Sequence, residues 1–464
     1  MANFDVIVVG GGPAGYVCAI RCAQLGLNTA VVEKEKLGGV CVNIGCIPTK
    51  ALLQSSHVAH LARADAKEMG IELGEVKTDY GVAMKRSRRV SDQNSKGVEY
   101  LMKKNKITVL KGTGVLQPGR KVKVGNDVHT AGKAVVIATG SRVKGIPQIG
   151  LELNGTTVFS SDEALFLEKA PASMAIVGAG AVGCEFADIF HAFGTKVTLI
   201  EALPRILPLE DAECSQALTK SYQGRGITVY AGAKVTKAQV GKDQVTLTVE
   251  TGGKTESVKV DRVLMAAGRA VNTENMGFRE AGVQLTDRGF VKVNLETLET
   301  TSPGVYCIGD VAGPPMLAHK GSREGVTVAE RIAGQHPHPI KYDNIPSVTY
   351  CHPEVASIGL TEDACKEQKL DFQVGRFPFS ANGRARAAAE TEGFVKIIRG
   401  KKYGEILGAH IIGAHASEMI HELVVARENE FTVEEVDLAV HAHPTLSEAI
   451  AEAALDSMGR ALHI

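Results

Sequence analysis

Gly10-Gly11-Gly12-Pro13-Ala14-Gly15, near the start of the chain, and Gly178-Ala179-Gly180-Ala181-Val182-Gly183, in its middle, decide the fold. Each follows a short apolar run, Phe4 to Val9 or Met174 to Val177, and opens a helix-compatible stretch, the first reaching about Leu25. Each then leads to a second apolar run, Thr29 to Val32 or Lys196 to Ile200, that ends on an acid, Glu33 or Glu201. Gly10 and Gly178, Gly26 and Gly194, and Glu33 and Glu201 are all 168 residues apart, so the second segment repeats the first. Strand, glycine turn, helix and acid-terminated strand make a dinucleotide-binding unit, and each part has a physical reason. The first glycine (Gly10, Gly178) permits the tight turn, and the second (Gly12, Gly180) lets backbone approach a pyrophosphate. The third (Gly15, Gly183) allows the helix to pack closely on the strand, and the helix N-terminus faces the phosphates. Glu33 and Glu201 are placed to accept hydrogen bonds from an adenosine ribose. A carboxylate at 201 repels a 2′-phosphate, which predicts NAD rather than NADP in the second site despite Arg205 four residues on.

Composition agrees with a globular chain of several domains. At about 150 residues per domain, 464 residues suggest about three. The chain is 44% hydrophobic and 22% charged, which argues against disorder. Lysine plus arginine equals aspartate plus glutamate, 52 against 52, so no global field attracts nucleic acid or an anionic membrane. Runs such as Val6-Ile7-Val8-Val9 and Ala134 to Ala138 are far too short to span a bilayer. A strand beginning almost at Met1 predicts a cytoplasmic protein, or an organelle-matrix one whose leader has been removed.

Ile137-Ala138-Thr139-Gly140 closes the first unit, and Ala266-Ala267-Gly268-Arg269 stands at the corresponding place after the second. Gly304 to Asp310 then reads as a strand ending in Gly-Asp, whose carboxylate suits a second ribose-like chain. Its position after the repeat predicts that the second domain is inserted into the first. Nine cysteines are too few for a secreted disulfide scaffold, and seven read as ordinary buried or surface thiols. Cys41 and Cys46 are the exceptions. Four residues separate them, too many for a C-x-x-C motif, and no further Cys or His lies nearby at metal-ligand spacing. Pro48 suits the first turn of a helix running toward Arg63, which places Cys46 at a helix N-terminus where the dipole favours a thiolate. Two unrelated thiols and a pair bridged across a short loop both fit this spacing.

Gly38-Gly39-x-Cys41-x-Asn43-x-Gly45-Cys46-x-Pro48 resembles the active-site signature of the flavin-dependent pyridine nucleotide–disulfide oxidoreductases. The resemblance covers essentially the whole chain, including Tyr350 to Glu362 and His443-Pro444-Thr445-Leu446-Ser447-Glu448. It implies an α/β fold with two Rossmann-like domains, the NAD domain inserted in the FAD domain, and a C-terminal α+β dimerisation domain. The expected divisions are 1–145 for FAD, 146–270 for NAD, 271–343 completing the FAD site and 344–464 for the homodimer interface. By motif, FAD would be held by Gly10, Gly12, Gly15, Glu33, Lys50, Gly114, Thr139, Gly140, Asp310 and Ala318. Asp310 would take the ribityl region, and Lys50 would stand beside the isoalloxazine, near Glu185. NAD would be held by Gly178, Gly180, Gly183, Glu185, Glu201 and Gly268. Gly321 and Arg323 depart from the usual family wording, which predicts altered surface electrostatics there and no change of chemistry.

Within the family the chain most resembles members that oxidise dihydrolipoamide, the reduced lipoyl arms of 2-oxoacid dehydrogenase or glycine-cleavage complexes. The catalytic set so implied is a redox disulfide between Cys41 and Cys46, the base His443 and its partner Glu448. His443 is expected just before a helix starting at Pro444, with Glu448 on that helix accepting the second imidazole N–H. Glutathione reductase shares the cysteine pair but would show arginines in place of Glu201. A mercuric reductase or large thioredoxin reductase would carry redox residues at the end of the chain, which here reads Met458 to Ile464. Soluble transhydrogenases lack the cysteine pair, and a non-catalytic flavin scaffold would not need Cys41, Cys46, His443 and Glu448 together.

Overall fold

The computed structural model describes residues 3–464 apart from 65 and 68, and only the backbone of residue 64. It divides into two compact units. The first comprises 1–51, 84–144 and 268–340, and the second 52–83, 145–267 and 341–464.

In the first unit the strands Thr108–Lys111, Thr29–Glu33, Asn3–Val9 and Asp127–Ile137 lie side by side in that order, all parallel. Val305–Cys307 joins the same sheet along Val135 to Ile137, although it comes after the second repeat in sequence. The insertion expected from the order of motifs is therefore present. These strands are nearly continuous runs of Val, Ile and Ala because both faces of a parallel sheet are covered. One face packs on the helices Pro13–Gln24 and Ala318–Ile332. Those two helices meet at glycine. A Cβ on Gly325 would sit 2.6 Å from the Ala14 carbonyl oxygen, and one on Gly321 would sit 2.9 Å from the Ala14 Cβ. Gly321 is thus a packing residue, which corrects the surface reading for that position; Arg323 is exposed.

The second unit repeats the arrangement. Thr228–Ala231, Lys196–Glu201, Ser173–Val177, Arg262–Met265 and Val158–Ser160 form a parallel sheet in that order. A three-stranded antiparallel meander, residues 234–260, packs against it through Val245, Leu247 and Val249. The rest of the unit is an antiparallel sheet ordered Ser347–Thr349, Glu354–Gly359, Ile406–Gly413, Phe394–Gly400 and Phe372–Pro378. The helices Ala416–Glu428 and Glu448–Ser457 share its core. Lys396, 1% exposed on this sheet, donates to Asp211, Glu213 and Glu362 at 2.8–3.0 Å and so bolts it to the helix Ala212–Arg225. Replacing Lys396 by a neutral residue costs about 3–5 kcal/mol, because the buried Asp211 carboxylate then loses its ammonium partner.

Candidate active site

The two glycine turns are built alike. Gly10 and Gly178 adopt φ of +112° and +101°, the left-handed region that only glycine enters without strain. A Cβ on Gly15 would lie 1.9 Å from the Gly10 carbonyl oxygen, and one on Gly183 would lie 1.9 Å from that of Gly178. No such crowding occurs at the middle glycines. A Cβ on Gly180 would meet nothing within 4 Å, and one on Gly12 only the Gly39 Cα at 3.9 Å. The backbone there is open to a ligand, at the start of helices whose first N–H groups lack intrahelical partners. Both turns fit dinucleotide phosphates.

The acids do more than their motif suggests. Glu33 accepts hydrogen bonds from the Gly11 N–H at 2.7 Å and the Glu35 N–H at 2.8 Å. Glu201 accepts from the Ala179 N–H at 2.7 Å and the Leu203 N–H at 2.9 Å. Each carboxylate therefore ties the glycine turn to its own strand end and keeps acceptor lone pairs beyond those bonds.

Cys41 lies in a short helix, Gly39–Ile44, and Cys46 is the first residue of the helix Cys46–Ala64, as its sequence context predicts. Their thiols are in hydrogen-bond contact. That bond, then burial, then the negative charge of Cys46 push the Cys41 thiol up, while the nearby Lys50 ammonium pulls it down. Of the two, Cys46 is the sulfur at the helix N-terminus, where the dipole favours a thiolate. The loop carrying them is pinned from several sides. Asn43 donates to the carbonyls of Leu37 and Gly39 at 3.0 and 2.9 Å. Ser91 and Ser95, on the helix Tyr80–Lys104, donate to Val42 at 2.7 Å and Leu37 at 3.1 Å, and Arg88 donates to Asn43. Gly39 abuts the first glycine turn, since a Cβ on it would come within 2.7 Å of the Gly12 Cα. The other seven cysteines are buried, and Cys18 and Cys22 face each other one turn apart on their helix.

Asp310 sits in the one-turn helix Gly309–Ala312, where Ser141 donates to its carboxylate and Arg269 donates to the Ser141 hydroxyl at 2.7 Å. The turn itself is clamped by a buried ion pair. Lys320 donates to the carbonyls of Gly309 at 3.1 Å and Gly313 at 2.7 Å and lies 3.2 Å from Glu324. Glu324 in turn accepts from the Gly309 N–H at 2.7 Å. Ser141, Arg269, Lys320 and Glu324 have no sequence pattern that marks them.

The remaining expected residues fall as follows. Thr139 and Asn272 exchange hydrogen bonds at 2.8 and 2.9 Å, locking the strand end beside Gly140. Gly114 is packed among Val9, Val32 and Val122, and Ala318 opens its helix. Gly268 has φ of +113° where the chain re-enters the first unit. Glu185, buried, accepts from the Tyr350 N–H at 3.1 Å.

His443 and Glu448 form a dyad, Nδ1 to Oε1 at 2.8 Å. Glu448 also accepts from the Thr445 N–H at 2.8 Å. Partial burial would raise the carboxyl, but the Thr445 and His443 hydrogen bonds outweigh it and hold Glu448 below the usual carboxylate range. The helix here begins at Glu448, not at Pro444 as expected. Thr445 turns the chain back on itself, its hydroxyl donating to the Ala442 carbonyl at 2.7 Å, so residues 443–447 form a loop folded over the helix start. With Nδ1 engaged, Nε2 of His443 has no hydrogen-bond partner among the described residues. A second dyad, His441 with Glu422 at 2.8 Å, stands next to it.

Comparison with known proteins agrees with this geometry. The family model described as pyridine nucleotide–disulphide oxidoreductase matches residues 4–325, and the model of that family's dimerisation domain matches residues 345–454. Dihydrolipoyl dehydrogenase from Rhizobium etli is 44% identical, with 99% of each chain covered. That from Bacillus subtilis is 43% identical, again with 99% of each covered. Among solved structures, LpdA from Mycobacterium tuberculosis aligns with a TM-score of 0.89 at 25% identity, over 98% of this chain and 99% of that one. The flavoprotein disulfide reductase RclA from Escherichia coli gives 0.86 at 26% identity, over 97% and 99%. By these matches, and by its paired glycine turns and adjacent thiols, the chain belongs to the pyridine nucleotide–disulphide oxidoreductases.

Proposed function

We propose that this chain is a dihydrolipoyl dehydrogenase, which oxidises dihydrolipoamide to lipoamide and reduces NAD+ to NADH through a Cys41–Cys46 disulfide and FAD. The observation that carries the reading is the contact of Cys41 and Cys46 at a helix N-terminus, on a loop packed against the first glycine turn. The 41–44% identity to dihydrolipoyl dehydrogenases selects the substrate among disulfide oxidoreductases. In this reading 1–145 and 271–343 hold FAD, 146–270 hold NAD and 344–464 form the contact of a homodimer. Gly12, Glu33, Lys50 and Asp310 serve FAD, and Gly180, Glu185 and Glu201 serve NAD. The partners are the lipoyl arms of a 2-oxoacid dehydrogenase or glycine-cleavage complex. Among the described residues no helix is long and apolar enough to cross a membrane. Seven buried cysteines outside the pair favour a reducing compartment, cytoplasm or organelle matrix.

The residues account for the thiol chemistry. Nε2 of His443 takes a proton from one thiol of dihydrolipoamide, with Glu448 holding the ring and stabilising its charge. The resulting thiolate attacks Sγ of Cys41; a mixed disulfide forms, the Cys41–Cys46 bond breaks, and Cys46 leaves as a thiolate. The second substrate thiol, deprotonated in turn, displaces Cys41 and closes the cyclic disulfide. Substrate has then lost two electrons and two protons, and the protein disulfide has gained the two electrons. The helix dipole and Lys50 stabilise the charge left on the sulfurs. FAD and NAD supply the two-electron relay and the hydride acceptor that return the pair to the disulfide.

Purified protein should therefore form NADH from dihydrolipoamide and NAD+, and should not oxidise NADPH with glutathione disulfide. The reverse pattern refutes the assignment. A further expectation rests on Glu201. Loss of its charge-assisted hydrogen bond to the ribose costs NADP about 1.5–3 kcal/mol, roughly 10- to 150-fold in affinity. Equal catalytic efficiencies with NADH and NADPH would contradict it.

A further inference from the structure

The helix that starts at the second glycine turn ends, about 16 Å farther along its axis, at a cavity of about 200 Å3. Among the described residues its walls carry two guanidinium groups, Arg63 and Arg225, and four imidazoles, His57, His60, His191 and His352, against one carboxylate, Asp188. That carboxylate is already committed. It accepts from Arg225 at 2.6 Å and from the His352 N–H at 3.2 Å. Among the described residues Arg63 donates only to neutral oxygens, the Ala192 carbonyl at 2.6 Å and the Thr78 hydroxyl at 2.9 Å. The His352 ring lies 4.9 Å from that of His60 and 5.5 Å from that of His57, centroid to centroid. Among the described residues none of the four rings has a hydrogen-bond partner, yet each carries at least one N–H. Burial, then His60, Arg225 and His57, drive the His352 ring down to about 3, so each of these neighbours acts on it as positive charge. Burial and then Arg225 lower His191 as well, with Asp188 opposing.

We infer that this cavity is a binding site for a small tetrahedral oxyanion of the phosphate class. An anion there would accept the unused imidazole N–H groups and offset the charge left by two guanidinium groups against one carboxylate. The volume holds such an ion with a few waters and is smaller than the roughly 300 Å3 at which organic-ligand pockets begin. A metal cation is disfavoured by the two guanidinium groups, and among the described residues no three His, Cys, Asp or Glu side chains are arranged to hold one. Glu390 and Glu392 line an adjoining cleft with His60 and His352, which puts the anion on the Arg63–Arg225 side. A bound anion opposes the burial and the Arg225 charge that hold His352 and His191 down, so affinity grows as pH falls.

The test is calorimetric titration of the FAD-loaded enzyme with inorganic sulfate, whose charge is constant over the range, at about pH 6.5 and about pH 8. Saturable binding that tightens about tenfold for each proton taken up per pH unit is expected. His57→Asn with His60→Asn should weaken it about tenfold or more, and Arg63→Gln, an exposed position that leaves the fold intact, should do the same. Inorganic phosphate should compete with sulfate. No saturable binding overturns the proposal. Binding that ignores pH and both variants marks an adventitious ion only and overturns it too, as would zinc binding in place of sulfate that the His57/His60 variant abolishes.

Discussion

His443→Gln lowers the rate of dihydrolipoamide oxidation by about 10²–10⁴-fold, the usual cost of losing a general base. NADH oxidation by an artificial acceptor that bypasses the thiols continues in the same variant. The split follows from where the base acts. His443 touches only the first proton transfer from substrate, and its side chain, 80% exposed in the single chain, supports no core. Glutamine keeps the hydrogen bond toward Glu448 and cannot take the proton. If both rates fell together, His443 would be a structural residue and the assignment of the base would be wrong.

Refolding an equal mixture of Cys46→Ser and His443→Gln chains restores about a quarter of wild-type activity, though each parent is inactive. The expectation follows if thiols from one protomer work with the base of its partner. Cys46 stands in the unit that carries the first glycine turn, and His443 comes almost 400 residues later, within the stretch 345–454 that matches the family's dimerisation domain. In a twofold dimer a contact from one chain to the other is repeated in reverse, giving two composite sites. A hybrid dimer then has one site with both lesions and one with neither. Half of randomly paired dimers are hybrids, each with one of two sites intact, hence about a quarter. A base acting within its own chain leaves every site with one lesion and the mixture inactive.

Local patterns were the legible part of this chain. The strand read as Phe4 to Val9 is Asn3–Val9, and that read as Thr29 to Glu33 has those bounds, because apolar runs bounded by glycine have little alternative in a doubly covered sheet. The helix N-terminus at Cys46 was likewise marked by Pro48. At Pro444 the same proline signal misled, since side-chain hydrogen bonds from Thr445 and Glu448 stabilise a loop there instead. Residues that work through tertiary contacts were not visible. Ser87, Ser91 and Ser95 form a buried stripe at spacing four, a pattern that could have flagged a polar helix face beneath the cysteine loop. Lys320 and Glu324 stand four residues apart, a spacing common among solvated helix pairs, yet both are buried and hold the turn under Asp310. Glu33 and Glu201 were read for ribose alone, while the backbone N–H groups they also accept belong to turns whose shape sequence does not specify.

The central claim is that electrons from substrate enter the protein at Cys41 and Cys46. Alkylation followed by peptide mapping, before and after one equivalent of dihydrolipoamide without NAD+, tests it directly. As isolated, neither cysteine should react, being joined in a disulfide. After the equivalent, label should appear first on Cys41 and then on Cys46, with the seven buried cysteines unlabelled in the folded protein. Free Cys41 and Cys46 in the enzyme as isolated, or no new label at either after substrate, would contradict the account.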